Sequence, residues 1–170
     1  MAVGSDKIEK FIKRWSPAGG GERSNYQMFL TELCALIDVQ GPEPAVEDES
    51  RNAYVFERKV PARRLEGQTT ANFIDLYKRG CFVLEAKQSA KRLTQMAQLT
   101  QLPLGLREQR SGSGRRGGTG WDTIMRNARE QAETYAKRLP PEEGWPPFLV
   151  VVDVGHVIEL YADFSLQGKH

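Results

Sequence analysis

Ile8, Phe11, Ile12 and Trp15 recur at three- and four-residue intervals, the spacing that lines one side of an α-helix, and the pattern stops at Pro17 and the Gly19-Gly20-Gly21 run. This predicts a short amphipathic helix capped by Ser5 and followed by a glycine-rich linker, together filling residues 1–21. Tyr26, Phe29, Leu30, Leu33 and Ile37 form a second stripe, introduced by the Ser24/Gln27 capping-box pattern and ended before Gly41-Pro42. The acidic, proline-bearing stretch 41–50 reads as a loop. Beyond it Tyr54-Val55-Phe56-Glu57-Arg58 predicts a strand. The runs 73–77 and 81–87 around Lys78-Arg79-Gly80 predict a β-hairpin, with Gly80 suited to the positive φ of a three-residue loop. Residues 90–101 fit a helix, whereas 103–120 carry neither period nor apolar content and predict a mobile loop. Asp122 then caps a helix to about Leu139, with Met125, Ala128, Ala132, Tyr135 and Leu139 inward, and Pro140-Pro141 stops it. The unbroken apolar run Phe148-Leu149-Val150-Val151-Val152 predicts a strand buried on both faces, turned by Gly155-His156 into a last strand, Val157 to Tyr161. The order α-α-β-β-β-α-α-β-β predicts an α/β domain: one mixed β-sheet flanked by helices.

The hairpin also gathers chemistry. With Tyr77 paired to Cys81, Asp75 lies opposite Val83 and Glu85 is one diagonal step away. Alternation then puts Asp75, Tyr77, Cys81, Val83, Glu85 and Lys87 on one face, and the apolar Ile74, Leu76, Phe82, Leu84 and Ala86 on the other. A one-residue slip would pull one strand's apolar set off the core, so burial favours this register. Diagonal neighbours have Cβ atoms roughly 7–8 Å apart or less, close enough for two carboxylates to share one cation. Mg²⁺ suits such a pair, because it keeps several waters and takes its remaining ligands from phosphate; Mn²⁺ is the natural substitute. Lys87 can position or deprotonate an attacking water, or counter charge on a pentavalent transition state. The plain alternative is a solvated Glu-x-Lys pair on an ordinary hairpin, worth little energetically.

Composition narrows the field. A chain of 170 residues with 39% hydrophobic positions supports one domain over residues 1–170. A net charge of +2 rules out a general polybasic coat, so phosphate contacts must come from local clusters such as Arg107, Arg110, Arg115 and Arg116. No apolar run approaches about 18 residues and no signal-peptide pattern is present, so the expected setting is cytoplasmic, with no membrane partner. Cys34 and Cys81 have no metal-type spacing and read as free thiols. His156 and His170 form no cluster for zinc or for Ser-His or Cys-His catalysis. The pattern Gly112-Ser-Gly114-Arg-Arg-Gly117 follows Arg-Glu-Gln-Arg and not a strand, against dinucleotide binding. Asp153 before Val154-Gly155 is better explained by turn chemistry than by metal ligation.

Asp75, nine residues, and then Glu85-Ala86-Lys87 resemble the D-x9-E-x-K form of the PD-(D/E)xK nuclease motif, with Ile74 where the motif's name has proline. Gln131 and Tyr135, one turn apart on the later helix, resemble the Q-x-x-x-Y element of RecB-type nucleases. The stretches ERSNYQMFLTELCALI, NFIDLYKRGCFVLEAKQ and EEGWPPFLVVVDVGHVIELYADFS are similar to the amino-terminal nuclease region of MmeI-type (type IIG/IIL) restriction-modification proteins. The resemblance implies a restriction-endonuclease-like fold and a Mg²⁺-dependent endodeoxyribonuclease acting on double-stranded DNA. It implies Asp75 and Glu85 as metal ligands, Lys87 as the catalytic lysine, and Gln131 and Tyr135 lining the site. Glu32 is a candidate accessory acid for the metal, and Gln88, Arg115 and Arg116 are candidate DNA contacts. Methyltransferase and target-recognition domains are the implied partners, in cis or in trans, and AdoMet enters only with such a downstream domain. Trp145-Pro146-Pro147-Phe148 lacks the Asn or Asp that begins an amino-methylating tetrapeptide, so methylation is not expected of these residues. The alternative is a catalytically silent nuclease-like module that binds DNA or plays a structural part beside a methyltransferase.

Overall fold

Among the described residues, two helices, three antiparallel strands, a third helix and a final strand pair succeed one another. They are α1 (Ser5–Trp15), α2 (Glu22–Leu36), β1 (Tyr54–Val60), β2 (Asn72–Lys78), β3 (Phe82–Lys87), α3 (Thr119–Ala136), β4 (Phe148–Asp153) and β5 (Val157–Ala162). This computed structural model describes residues 4–19, 22–60, 72–89 and 119–165. The strands form one sheet in the order β1-β2-β3-β4-β5. Every neighbouring pair is antiparallel except β3 and β4, which run parallel from Phe82↔Phe148 to Lys87↔Asp153. A parallel pair cannot be joined by a tight turn, and α3 lies within the crossover between the two.

The sheet carries a core on each face. Trp15, Tyr26, Phe29 and Leu30 of α1 and α2 pack on Leu76, Leu84, Ala86, Val152 and Val154. On the opposite face Ala132, Ala136 and Leu139 meet Ile74, Tyr77, Val83 and Leu149, while Met125 and Ala128 cover Val151. β4 is buried from both sides, as its unbroken apolar run predicts, and edge strand β5 alternates between half-buried and exposed positions. The expected restriction-endonuclease-like α/β architecture is therefore the one that forms. Among the described residues no helix is long and apolar enough to cross a membrane.

Local expectations fail in instructive places. Gly4 caps α1 and Ser5 lies inside it. α2 starts at Glu22, which puts Ser24 within the helix, and α3 starts at Thr119, which makes Asp122 a first-turn acid facing the positive end of the helix dipole and not a cap. Ile8, Ile12 and Ile37 stay exposed at 40%, 54% and 50% because only Phe11 and Trp15 of α1 reach the core and α2 ends before Ile37. The hairpin pairs Tyr77 with Val83 and Lys78 with Phe82, two residues out of the predicted register, with Arg79-Gly80-Cys81 as its loop. A shift of two preserves the faces. Ile74 nevertheless leaves the face of Leu76 for that of Tyr77. β1 turns over at the same level: Phe56 stacks on Tyr26 of α2, whereas Arg58 lies against the ring of Tyr77 on the other side. Between them Glu57 has φ 53, a left-handed conformation rare for a residue with a side chain, and it breaks the two-residue alternation. The predicted helix 90–101, most of the predicted loop 103–120, and its four arginines lie outside the described residues.

Candidate active site

The ladder between β2 and β3 stops at Leu76↔Leu84, and one further step of that register sets Asp75 level with Glu85. Here the strands part. The backbone N–H of Ala86 donates instead to Asp75 Oδ2 at 2.7 Å, so a carboxylate closes the fork where a strand carbonyl would otherwise accept. Glu85, on the regular strand β3, shares its parity with Val83 and faces α3; it is only 2% exposed. Its Oε1 accepts from Lys87 Nζ at 2.7 Å, giving the buried carboxylate the cationic partner that burial demands. Both acids and the amine thus sit at the end of β3, at the level where the β2 ladder opens.

α3 brings the next two residues. Gln131 and Tyr135 are one helical turn apart, and Gln131 Nε2 donates to Tyr135 Oη at 3.1 Å. Tyr135 packs beside the Ala132/Val83 layer, and helical side chains lean toward their N-terminus, which carries its phenol back toward Glu85. The phenol's pKa is raised above its ordinary value, first by burial, then by the negative field of Glu85; Asp75 adds to the rise, while the Gln131 hydrogen bond and Lys87 oppose it. Four of the five predicted groups therefore share one electrostatic neighbourhood with Tyr135, which remains a proton-bearing donor. The convergence unites a hairpin and a helix separated by residues 88–118 of the chain.

The α2 side contributes residues the sequence did not single out. Tyr26 Oη donates to Glu57 and accepts from Gln27 Nε2 at 3.1 Å. Burial is the main cause of its raised pKa, and Glu57 and Asp75 both add to the rise. The Asp75 charge is thus felt by Tyr26 on the α2 face of the sheet and by Tyr135 on the α3 face. Tyr26 looked like one more apolar-stripe residue and Glu57 like an ordinary strand position. A positive φ has no signature in a residue of that type, so neither could be found from the pattern.

Two expected contacts are engaged elsewhere. Glu32 accepts from Trp15 Nε1 at 2.8 Å and pairs with Arg14 at 2.9 Å; it braces α1 against α2 and is not brought to the site as an accessory acid. Gln88 accepts from Asn25 Nδ2 at 2.9 Å and donates to the carbonyl of Ala18 at 3.3 Å, so its amide tethers the end of β3 to α2 and the segment before it. Arg115 and Arg116 lie outside the described residues. Among the described residues no group of three or more His, Cys, Asp or Glu could hold a metal. What the site offers a cation is two hard carboxylates, the donor set that Mg²⁺ accepts while retaining water.

A family model described as "MmeI, N-terminal domain" matches residues 4–168, nearly the whole chain. No curated protein and no solved structure matches it.

Proposed function

This chain belongs to the family of MmeI N-terminal domains, a restriction-modification-associated N-terminal domain, and from that premise we propose that it is a Mg²⁺-dependent nuclease domain that hydrolyses phosphodiester bonds of double-stranded DNA. The observation that carries this reading is the fork at which Asp75 accepts from Ala86, the residue next to buried Glu85, with Lys87 on the Glu85 carboxylate. Asp75 and Glu85 would hold the cation, which when bound supplies charge neutralisation on the phosphoryl oxygens and a more acidic water. Lys87, already on the Glu85 carboxylate, supplies a mobile positive charge that can follow negative charge onto the transition state or orient the attacking water. Tyr135, kept protonated by burial, and Gln131 present O–H and N–H donors suited to the DNA backbone or to orienting Lys87. The proposed partners are methyltransferase and target-recognition domains, in cis or in trans, and AdoMet would enter only with the former.

Supercoiled plasmid incubated with the purified chain should be nicked or linearised with Mg²⁺ or Mn²⁺, and EDTA should stop the reaction. Lys87→Ala should reduce cleavage about 10²- to 10⁴-fold, the range for a positioned proton-transfer or electrostatic group, while the far-ultraviolet circular dichroism stays unchanged. Cleavage that survives Lys87→Ala, or DNA binding without nicking under either cation, would reject the catalytic assignment.

A further inference from the structure

Asp153 is fully buried at the end of β4, paired in register with Lys87. Turn chemistry accounts for its backbone, whose carbonyl accepts from His156 N–H at 2.9 Å. It does not account for the side chain. Oδ1 accepts from Ser89 N–H at 2.8 Å, and Oδ2 accepts from both Ser89 Oγ at 2.5 Å and Trp121 Nε1 at 2.9 Å. Three donors converge on one carboxylate. An acceptor-only group suits the position, since an amide would set its NH2 against the Trp121 indole N–H or the Ser89 backbone N–H.

These contacts join the two elements that make up the site. Ser89 stands two residues beyond Lys87, where the β3–β4 ladder has ended apart from the bond from Val154 N–H to the Lys87 carbonyl. Oδ1 of Asp153 holds the Ser89 N–H as a neighbouring strand's carbonyl would, so the strand end bearing Lys87 is secured on both sides of Gln88. Trp121 lies in the first turn of α3, ten residues before Gln131, about 15 Å along a helix rising 1.5 Å per residue. A helix is stiff along its axis, and anchoring its first turn sets the height at which Gln131 and Tyr135 meet Glu85. We propose that Asp153 is a positioning residue that fixes the Lys87 strand end and the Gln131/Tyr135 helix relative to each other. As an influence on catalysis it rests on the nuclease reading; as a determinant of geometry it does not.

The test compares Asp153→Asn, Ser89→Ala and Trp121→Phe by amide and side-chain nuclear magnetic resonance and by cleavage kinetics. In Asp153→Asn the Lys87 amide and the Gln131 side-chain amide should shift together with the Trp121 indole N–H, while resonances of Tyr77 and Arg58 stay in place. The kcat for cleavage should fall about ten- to hundredfold, the usual effect of losing a group that orients a site residue, with KM for DNA little changed. Ser89→Ala and Trp121→Phe should each give part of the same shifts, and neither should add its full effect to Asp153→Asn. If Asp153→Asn does not fold, the two single-donor variants carry the comparison. Lys87 and Gln131 resonances that remain at their wild-type positions in folded variants lacking these contacts overturn the proposal. A wild-type chain inert toward DNA counts against the nuclease reading alone, because the resonances still decide what Asp153 positions.

Discussion

Single side chains at the fork should separate chemistry from stability. Tyr135→Phe removes one O–H and no volume. Its loss should lower cleavage roughly tenfold or more, as for a proton-bearing site donor, while costing only about 1 kcal/mol of stability, read from denaturant midpoints. Gly155 tests the opposite kind of residue, one with no chemistry at all. Its φ of +72° is left-handed, and a Cβ built on it would lie 2.1 Å from the carbonyl oxygen of Trp15, where the end of α1 crosses the β4–β5 turn. Backbone cannot retreat as a flexible side chain can, so Gly155→Ala should destabilise the chain by about 2 kcal/mol or more, seen as a melting temperature lower by several degrees. The pattern of apolar residues marked Gly155 as a turn; the approach of α1 over it became visible only once the two elements met.

At the scale of elements, a buried polar network locks β1 and β2 to the Pro141–Glu143 turn. Glu143 accepts from Arg58 at 2.7 Å and from Tyr77 Oη, while Arg58, 2% exposed, also reaches Glu49, itself hydrogen-bonded by Asn52 at 3.0 Å. Removing Glu143 takes one of two acidic partners from the buried Arg58 guanidinium and the acceptor from the Tyr77 hydroxyl. Glu143→Ala should therefore cost about 3–5 kcal/mol in chemical denaturation, with Tyr77→Phe costing about 1 kcal/mol. The hairpin itself was legible from Gly80 and the alternating runs, but its register was not. A three-residue loop can take residues 78–80 or 79–81, and both choices keep every apolar residue of β3 on its face. Glu57 then turns β1 over and sends Ile74 and Arg58 to the α3 side, a left-handed bend that no alternation of residue types records.

The whole molecule should respond to alkali in one direction. The phenols of Tyr26, Tyr54, Tyr77 and Tyr135 all have raised pKa values, in each case chiefly through burial. Below about pH 10, the ordinary tyrosine value, folded and unfolded chains both keep these protons and the stabilisation is complete. Above it the unfolded chain releases protons that the folded chain retains, so stability falls as pH rises further. Denaturant midpoints measured from pH 8 to 11 should be flat and then decline, and Tyr77→Phe should soften the decline.

Sequence alone determined the two helical faces over the sheet, the doubly buried β4, and the spacing that puts Asp75, Glu85 and Lys87 on one hairpin. Those features follow from local periodicity: a strand alternates every two residues and a helix repeats every 3.6, wherever the element ends up. Tertiary structure decided the rest: the bond from Ala86 N–H to the Asp75 carboxylate beside Glu85, the arrival of Tyr135 within their field, the diversion of Glu32 to α1, and the three donors that meet on Asp153. Each depends on groups distant in the chain finding one another in a shared low-dielectric interior. Burial of the partners, and not the order of residues, chooses among registers and rotamers that the pattern leaves equivalent.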